Sequence, residues 1–245
     1  MIDKKIPFEG EAMKYGKMVK GRLIRKVNRF IAEVTIDGKK EAVHIKNTGR
    51  LKELLQPDAE VLLELSNNPK RKTRFSLIAA VKNGNLVNID SQAPNAVVFE
   101  ALNEGKLQEF GLVDMVKREV TYGDSRFDLY FENGEDRGFI EVKGVTLEEN
   151  GIAMFPDAPT ARGTKHLLEL AKAVQEGYRC TILFVVQMKS CQLFVPNMEM
   201  DPIFADALLY AKQQGVRILA YDAIVREDEL VLDQPVPVCL EAGGR

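Results

Sequence analysis

The sequence predicts a two-domain α+β protein: a small β-barrel followed by an α/β domain built on a mixed central sheet. Three observations carry this. The first 85 residues hold short alternating strands and little helix. From about residue 93 long helical patterns appear between strands. The charge also changes sign between the halves: residues 1–85 carry 19 Lys+Arg against 10 Asp+Glu, and residues 86–245 carry 15 against 26. The predicted division is 1–85, 86–240 and a short tail, 241–245. The 245 residues suffice for a sizeable core.

In the first part, GRLIRKV, FIAEVTI and EAVHIK alternate apolar and polar residues, with a turn signal at Asp37-Gly38. NTGRLKELL then predicts one or two helical turns. AEVLLEL, RFSLIAAV and NLVNI follow, separated by NNPKRKT and Asn83-Gly84. Five or six short strands with one brief helix predict a barrel of the OB type, a fold that binds oligonucleotides on one face and in its loops. Lys70, Arg71, Lys72 and Arg74 make one dense basic loop. Lys14, Lys17, Lys20, Arg22, Arg25, Lys26 and Arg29 are spread over the first hairpin. A basic half points to a polyanion, DNA with RNA as the alternative.

In the second part, APNAVVFEALNEG reads as a helix, and LVDMVKREVTYG, SRFDLYF and RGFIEVKGVTL as three consecutive strands. TARGTKHLLELAKAVQEG reads as a helix capped by Thr160, with Leu167, Leu170, Ala171 and Val174 as its apolar stripe. RCTILFVVQM has the unbroken apolar character of a strand buried on both faces. DPIFADALLYAKQQG is a helix with Asp201 as cap and Pro202 at its first position, and VRILAYDAIV is a last strand.

The middle strands pose a chemical question, because GFIEVKGVTL places Glu141 and Lys143 beside buried Ile140 and Val142. Read as a hairpin turning at Asn133–Asp136, the register pairs Glu132 with Arg137, Tyr130 with Phe139, Asp128 with Glu141 and Arg126 with Lys143. Phe127, Leu129 and Phe131 then share a core face with Ile140 and Val142. Two carboxylates ~5 Å apart across a strand pair repel. A divalent cation removes that penalty, and Mg²⁺ is commonly held by one or two carboxylates plus water and phosphate oxygens. An ammonium beside it can orient water or stabilise charge on a phosphate. A solvent-exposed cluster of cross-strand ion pairs would place the same four charges together.

At these residues the chain resembles the PD-(D/E)xK nuclease superfamily, whose core is a helix, three strands, a helix and a strand. Asp128 matches the motif's Asp, Glu141 and Lys143 its (D/E)xK, and Phe127 stands where the motif has Pro. Over nearly the whole chain the sequence is similar to the sugar fermentation stimulation protein A family. The segments that carry this are NTGR (47–50), NNPKRKTRF (67–75), REVTYGDSRFDLYF (118–131), FIEVKGVTL (139–147), FPDAPTARGTKHLLEL (155–170) and GVRILAY (215–221).

The resemblance implies an OB-like domain, a PD-(D/E)xK nuclease-like domain, DNA binding with little sequence preference and a link to sugar utilisation. It implies Asp128 and Glu141 as ligands of Mg²⁺ or Mn²⁺, with Lys143 assisting. Glu100 on the first helix, or Glu119 on the first strand, would complete the set. The basic start of the second helix, with Arg162, Lys165 and His166 on a polar face, would grip phosphate. Asp157 would either approach the metal or form a turn, and Arg50 would line a gap between the domains. The resemblance leaves a homodimer open.

Two functions follow: a metal-dependent nuclease, or a non-catalytic DNA-binding regulator of sugar (maltose) metabolism genes that keeps the fold. Direct action on sugars is disfavoured, since there is no tryptophan platform and no P-loop. Three scattered cysteines, no apolar leader and no run of ~20 apolar residues predict a cytoplasmic protein that does not enter a membrane.

Overall fold

A computed structural model describes residues 13–47 and 49–240. Residues 1–12, Thr48 and the expected tail 241–245 lie outside the described residues. Six strands form the first sheet: β1 (Met18–Lys26), β2 (Ile31–Ile36), β3 (Lys39–Ile45), β4 (Glu60–Leu65), β5 (Phe75–Lys82) and β6 (Asn85–Asn88). Their order is β3-β2-β1-β4-β5-β6, and a parallel β3–β5 pairing closes the first five into a barrel. Alternating Ala32, Val34 and Ile36 fill it from β2, as period-two patterning requires. Of the one or two helical turns expected in NTGRLKELL, a single turn forms, in which Leu55 N–H reaches the Leu51 carbonyl at 2.9 Å. Leu51, at the start of that turn, has φ +51°, in the left-handed region.

The second domain has the helices α1 (Ala93–Asn103), α2 (Ala161–Gln175) and α3 (Pro202–Gln213). Its main strands are β7 (Met115–Tyr122), β8 (Ser125–Asn133), β9 (Asp136–Val145), β12 (Thr181–Val186), β14 (Arg217–Val225) and β15 (Leu230–Pro235). The sheet order is β15-β14-β12-β9-β8-β7. Strands β7 to β9 run antiparallel, and β9, β12 and β14 run parallel. A small sheet of β10 (Leu147–Glu149), β11 (Ile152–Phe155) and β13 (Leu193–Pro196) was not evident in the sequence, because these strands are only three or four residues long.

Helix caps follow the local chemistry. Thr160 Oγ1 accepts from Gly163 N–H at 3.1 Å, and Asp201 Oδ1 accepts from Phe204 N–H at 3.0 Å. α1 covers one face of the sheet, over Leu129, Phe131, Ile140 and Val142. α2 and α3 cover the other, over Phe127, Phe139, Ile182 and Phe184. Strand β12 is buried at every residue, because both faces of the sheet are covered.

The barrel and the second domain share one continuous core, running from Val34 and Leu77 through Ile89 and Val145 to Leu167. Gln187, at the end of β12, ties the two together. Its carbonyl accepts from Asn88 N–H at 2.9 Å, and its side-chain amide donates to Asn88 Oδ1 at 2.8 Å and to the Asp90 carbonyl at 3.1 Å.

Candidate functional site

The hairpin register is as expected from Asn133–Asp136 to Leu129–Ile140, where the β8–β9 ladder ends. The expected facing pairs Asp128–Glu141 and Arg126–Lys143 are not made. At Asp128 the side chain takes over from the backbone: Oδ2 accepts Val142 N–H at 2.8 Å. Beyond it β8 stays with β7, and β9 continues with β12, so the sheet splays. The expected single face breaks at the same point. Phe127 packs on the α2 side, 5.2 Å from the Phe139 ring, whereas Leu129 and Phe131 lie on the α1 side. Arg126 remains exposed, 3.6 Å from Glu119.

A cleft of about 640 Å³ opens where the strands part. Asp128, Glu141, Lys143, Gly144 and Arg162 line it from the second domain, and Arg29, Asn47 and Gly49 from the barrel. Asn95, in the first turn of α1, donates to Asp128 Oδ1 at 2.7 Å. Glu141 is 2 % exposed. Its Oε1 accepts from Lys143 Nζ and contacts His166 Nδ1 at 2.5 Å, whereas its buried Oε2 has no protein partner. Arg162 Nε donates to His166 Nε2 at 3.4 Å. Arginine can only donate, so the imidazole proton is on Nδ1 and points at Glu141.

The two carboxylates are pushed apart electrostatically. Burial and the charge of Glu141 raise the pKa of Asp128, against the opposing Val142 N–H, Lys143 and Asn95. Burial also works to raise Glu141, but the hydrogen bonds of His166 and Lys143 and the Lys143 charge outweigh it and lower the pKa. Gly144 keeps the cleft floor open, since a Cβ there would lie 2.4 Å from Gln187 Oε1.

Other expected site residues are elsewhere. Glu100 accepts from Met13 N–H at 3.0 Å and does not line the cleft, because it is on the later turns of α1 whose start supplies Asn95. Glu119 is exposed on the edge strand β7 with φ +55°, and it too is outside the cleft. Among the described residues no group of three or more His, Cys, Asp or Glu is placed to hold a metal. His166, expected on the polar face of α2, is buried at 5 % exposure, because the sheet beneath α2 presents Glu141 to it. Lys165 turns away and donates to the Asp124 carbonyl at 2.9 Å.

Asp157 Oδ2 accepts from Arg50 N–H at 2.8 Å and so pins the barrel loop to the cleft rim. Arg71 donates to Ser76 Oγ at 3.0 Å and Arg74 lies 3.9 Å from Glu41, while Lys70 and Lys72 are exposed. Sequence reasoning missed Asn95 and Gln187. Their signals were a polar residue directly after Pro94 and a single amide ending an otherwise apolar strand.

Two family models match the chain: the SfsA N-terminal OB domain over residues 24–89, and the sugar fermentation stimulation protein RE domain over residues 92–229. The chain belongs to the sugar fermentation stimulation protein family. A sugar fermentation stimulation protein homolog of Alkaliphilus oremlandii is 55 % identical over 231 residues, covering 92 % of this chain and 98 % of its own. The Clostridium beijerinckii homolog is 51 % identical over 228 residues, covering 93 % and 100 %. A solved structure described as Pyrococcus furiosus SfsA in complex with Ca²⁺ is 29 % identical. It superposes with a TM-score of 0.85 over 94 % of this chain and 99 % of that one. The OB barrel and mixed-sheet domain are thus the family architecture. No helix among the described residues is long and apolar enough to cross a membrane.

Proposed function

We propose that the cleft binds DNA with little sequence preference and hydrolyses a phosphodiester with the help of a divalent cation, Mg²⁺ or Mn²⁺. The observation that carries this reading is the buried, unpartnered Oε2 of Glu141 beside Asp128. A bare buried carboxylate oxygen is costly unless a cation completes it. Asp128 and Glu141 would hold that cation, which supplies charge neutralisation at the phosphate. The Pyrococcus furiosus relative, described in complex with Ca²⁺, supports a taste for hard cations.

The remaining work falls to the chain's own side chains. Asn95 and the Val142 N–H orient Asp128. His166 and Lys143 hold Glu141 Oε1, leaving the buried Oε2 without a protein partner. The Lys143 ammonium stabilises charge gathering on the non-bridging phosphate oxygens, and Arg162, at the cleft wall, fixes the phosphate in place.

A second reading, a DNA-binding regulator of sugar metabolism genes that no longer cuts, draws support from where the further carboxylates lie: Asp157, in the cleft lining, is engaged by Arg50 N–H. Glu100 and Glu119 both lie outside the cleft. The experiment is a cleavage assay on labelled single-stranded, duplex and branched DNA with Mg²⁺, Mn²⁺ or EDTA, beside Asp128→Ala and Lys143→Ala. Metal-dependent cutting lost in both variants is the expected result. Intact DNA binding without cutting on any substrate favours the regulator, and an absence of binding removes both readings.

A further inference from the structure

Phe30 stands at the tip of the β1–β2 turn with 44 % of its surface exposed, and the Arg29 guanidinium lies 4.9 Å from its ring centroid. The backbone below is held firmly. Asn28 Oδ1 accepts from Phe30 N–H at 2.8 Å and Ile31 N–H at 3.0 Å, and the Phe30 carbonyl accepts from Ile45 N–H at 2.8 Å. A rigid backbone that presents an aromatic ring to solvent contributes nothing to the core and is preorganised for a flat partner.

Position gives the ring its meaning. Arg29 lines the same cleft as Asp128 and Lys143, and so does Asn47, two residues beyond the Ile45 that anchors Phe30. Lys20, Arg22, Arg25 and Lys40 are each engaged by a carboxylate. Among the described residues no carboxylate is within ion-pair distance of Arg29. A guanidinium engaged by no carboxylate of the described residues, stacked beside a half-exposed ring, matches the two halves of a nucleotide, phosphate and base.

In a duplex the base faces are covered by their neighbours, so a protein ring can stack only where a base is unpaired. We propose that Arg29 and Phe30 form a clasp that stacks on an unpaired base of the strand whose phosphate occupies the cleft, which makes single-stranded DNA the preferred ligand. This rests on the reading of the cleft as a DNA site.

The test uses the full chain in EDTA with three probes: a labelled single-stranded oligonucleotide, the same oligonucleotide carrying 2-aminopurine, and a relaxed, covalently closed circular duplex, which has neither ends nor loops. Wild type is compared with Phe30→Ala, Phe30→Trp and Arg29→Ala. The ring is exposed, so its removal leaves the fold intact, which thermal melting checks. The expected result is that Phe30→Ala weakens single-strand affinity about ten- to a hundredfold, leaves affinity for the circular duplex unchanged and abolishes 2-aminopurine quenching. Phe30→Trp restores both affinity and quenching, and Arg29→Ala shallows the salt dependence. Wild-type binding that is unaffected by Phe30→Ala, or equal losses on both DNAs, overturns the clasp and leaves the DNA-binding reading standing. Failure of wild type to bind any of the DNAs overturns both.

Discussion

Glu141 on β9 and His166 on α2, 25 residues apart in the chain, meet inside the protein through a 2.5 Å contact between Oε1 and Nδ1. The contact fixes which carboxylate oxygen is occupied and which is free. It also couples the packing of α2 on the sheet to the geometry of the cleft, since Leu167 and Leu170 of the same helix are fully buried beside it.

His166→Ala should therefore destabilise the protein by about 2–3 kcal/mol, through the lost hydrogen bond to a buried charge and the hole left behind. His166→Gln, which keeps a donor, should recover part of this. Urea unfolding measures both. A His166→Ala variant within about half a kcal/mol of wild type would show that the contact carries no weight.

Asp128 gives a prediction of opposite sign. Its raised pKa means that the native state holds the proton more tightly than the unfolded chain does. Its contribution to stability is therefore present at low pH and is lost as pH rises through the native value. At neutral pH Asp128→Asn should stabilise the cation-free protein by about 1 kcal/mol, a rise in Tm of roughly 2–4 °C for a chain of this size. Mg²⁺ or Mn²⁺ should raise the Tm of wild type and leave that of the variant unmoved. Thermal melts with and without cation decide, and a variant that melts below cation-free wild type contradicts the electrostatic account.

The barrel and the second domain meet at Gly49 and Asp157. A Cβ at residue 49 would lie 2.5 Å from Asp157 Oδ2, the atom that accepts from Arg50 N–H. Gly49→Ala must displace that carboxylate and should cost about 1–3 kcal/mol. In an Asp157→Ala background the same change should cost much less. A double-mutant cycle reads the coupling, and strictly additive costs would mean that the two residues do not communicate.

For the basic loop, Lys70 and Lys72 are exposed while Arg71 is tied to Ser76 and Thr73. Replacing both lysines by Ala should reduce the slope of log affinity against log salt by about 0.7 per lysine on single-stranded DNA. Arg71→Ala should act more on stability than on slope. Titrations at several salt concentrations separate these effects, and an unchanged slope in the double-lysine variant takes the loop out of the interface.

Cys180 is 3 % exposed, and burial pushes its thiol up to about 12. The native state thus resists its ionisation, and stability should fall as pH rises from about 9 toward 12. At pH 8 iodoacetamide should leave Cys180 unmodified in the native protein and label it only at the rate of urea-induced unfolding. Mass spectrometry of pulse-labelled protein follows this, and rapid native labelling would contradict the burial.

Much of this protein is written in local patterns. The hairpin pairs Glu132–Arg137 and Tyr130–Phe139, the caps Thr160 and Asp201, and the doubly buried strand β12 were all legible, because each rests on interactions within a few residues or on strict periodicity. The convergence of Asp128, Glu141 and Lys143 was legible for the same reason: all three lie on one short hairpin. Three features depended on the tertiary structure instead. The ladder stops at Asp128 because neighbouring strands β7 and β12 draw β8 and β9 apart. Asn95, and neither Glu100 nor Glu119, reaches the site because the seating of α1 on the sheet sets which turn faces Asp128. Arg29, Asn47 and the Asp157–Arg50 bond meet the cleft only through contacts between residues far apart in sequence. Sequence by itself determined most of the longer elements and the acidic pair, since short-range sterics and hydrogen bonding specify them. The docking of whole elements decided what surrounds that pair, because it depends on the sum of many weak packing contacts that no local stretch encodes.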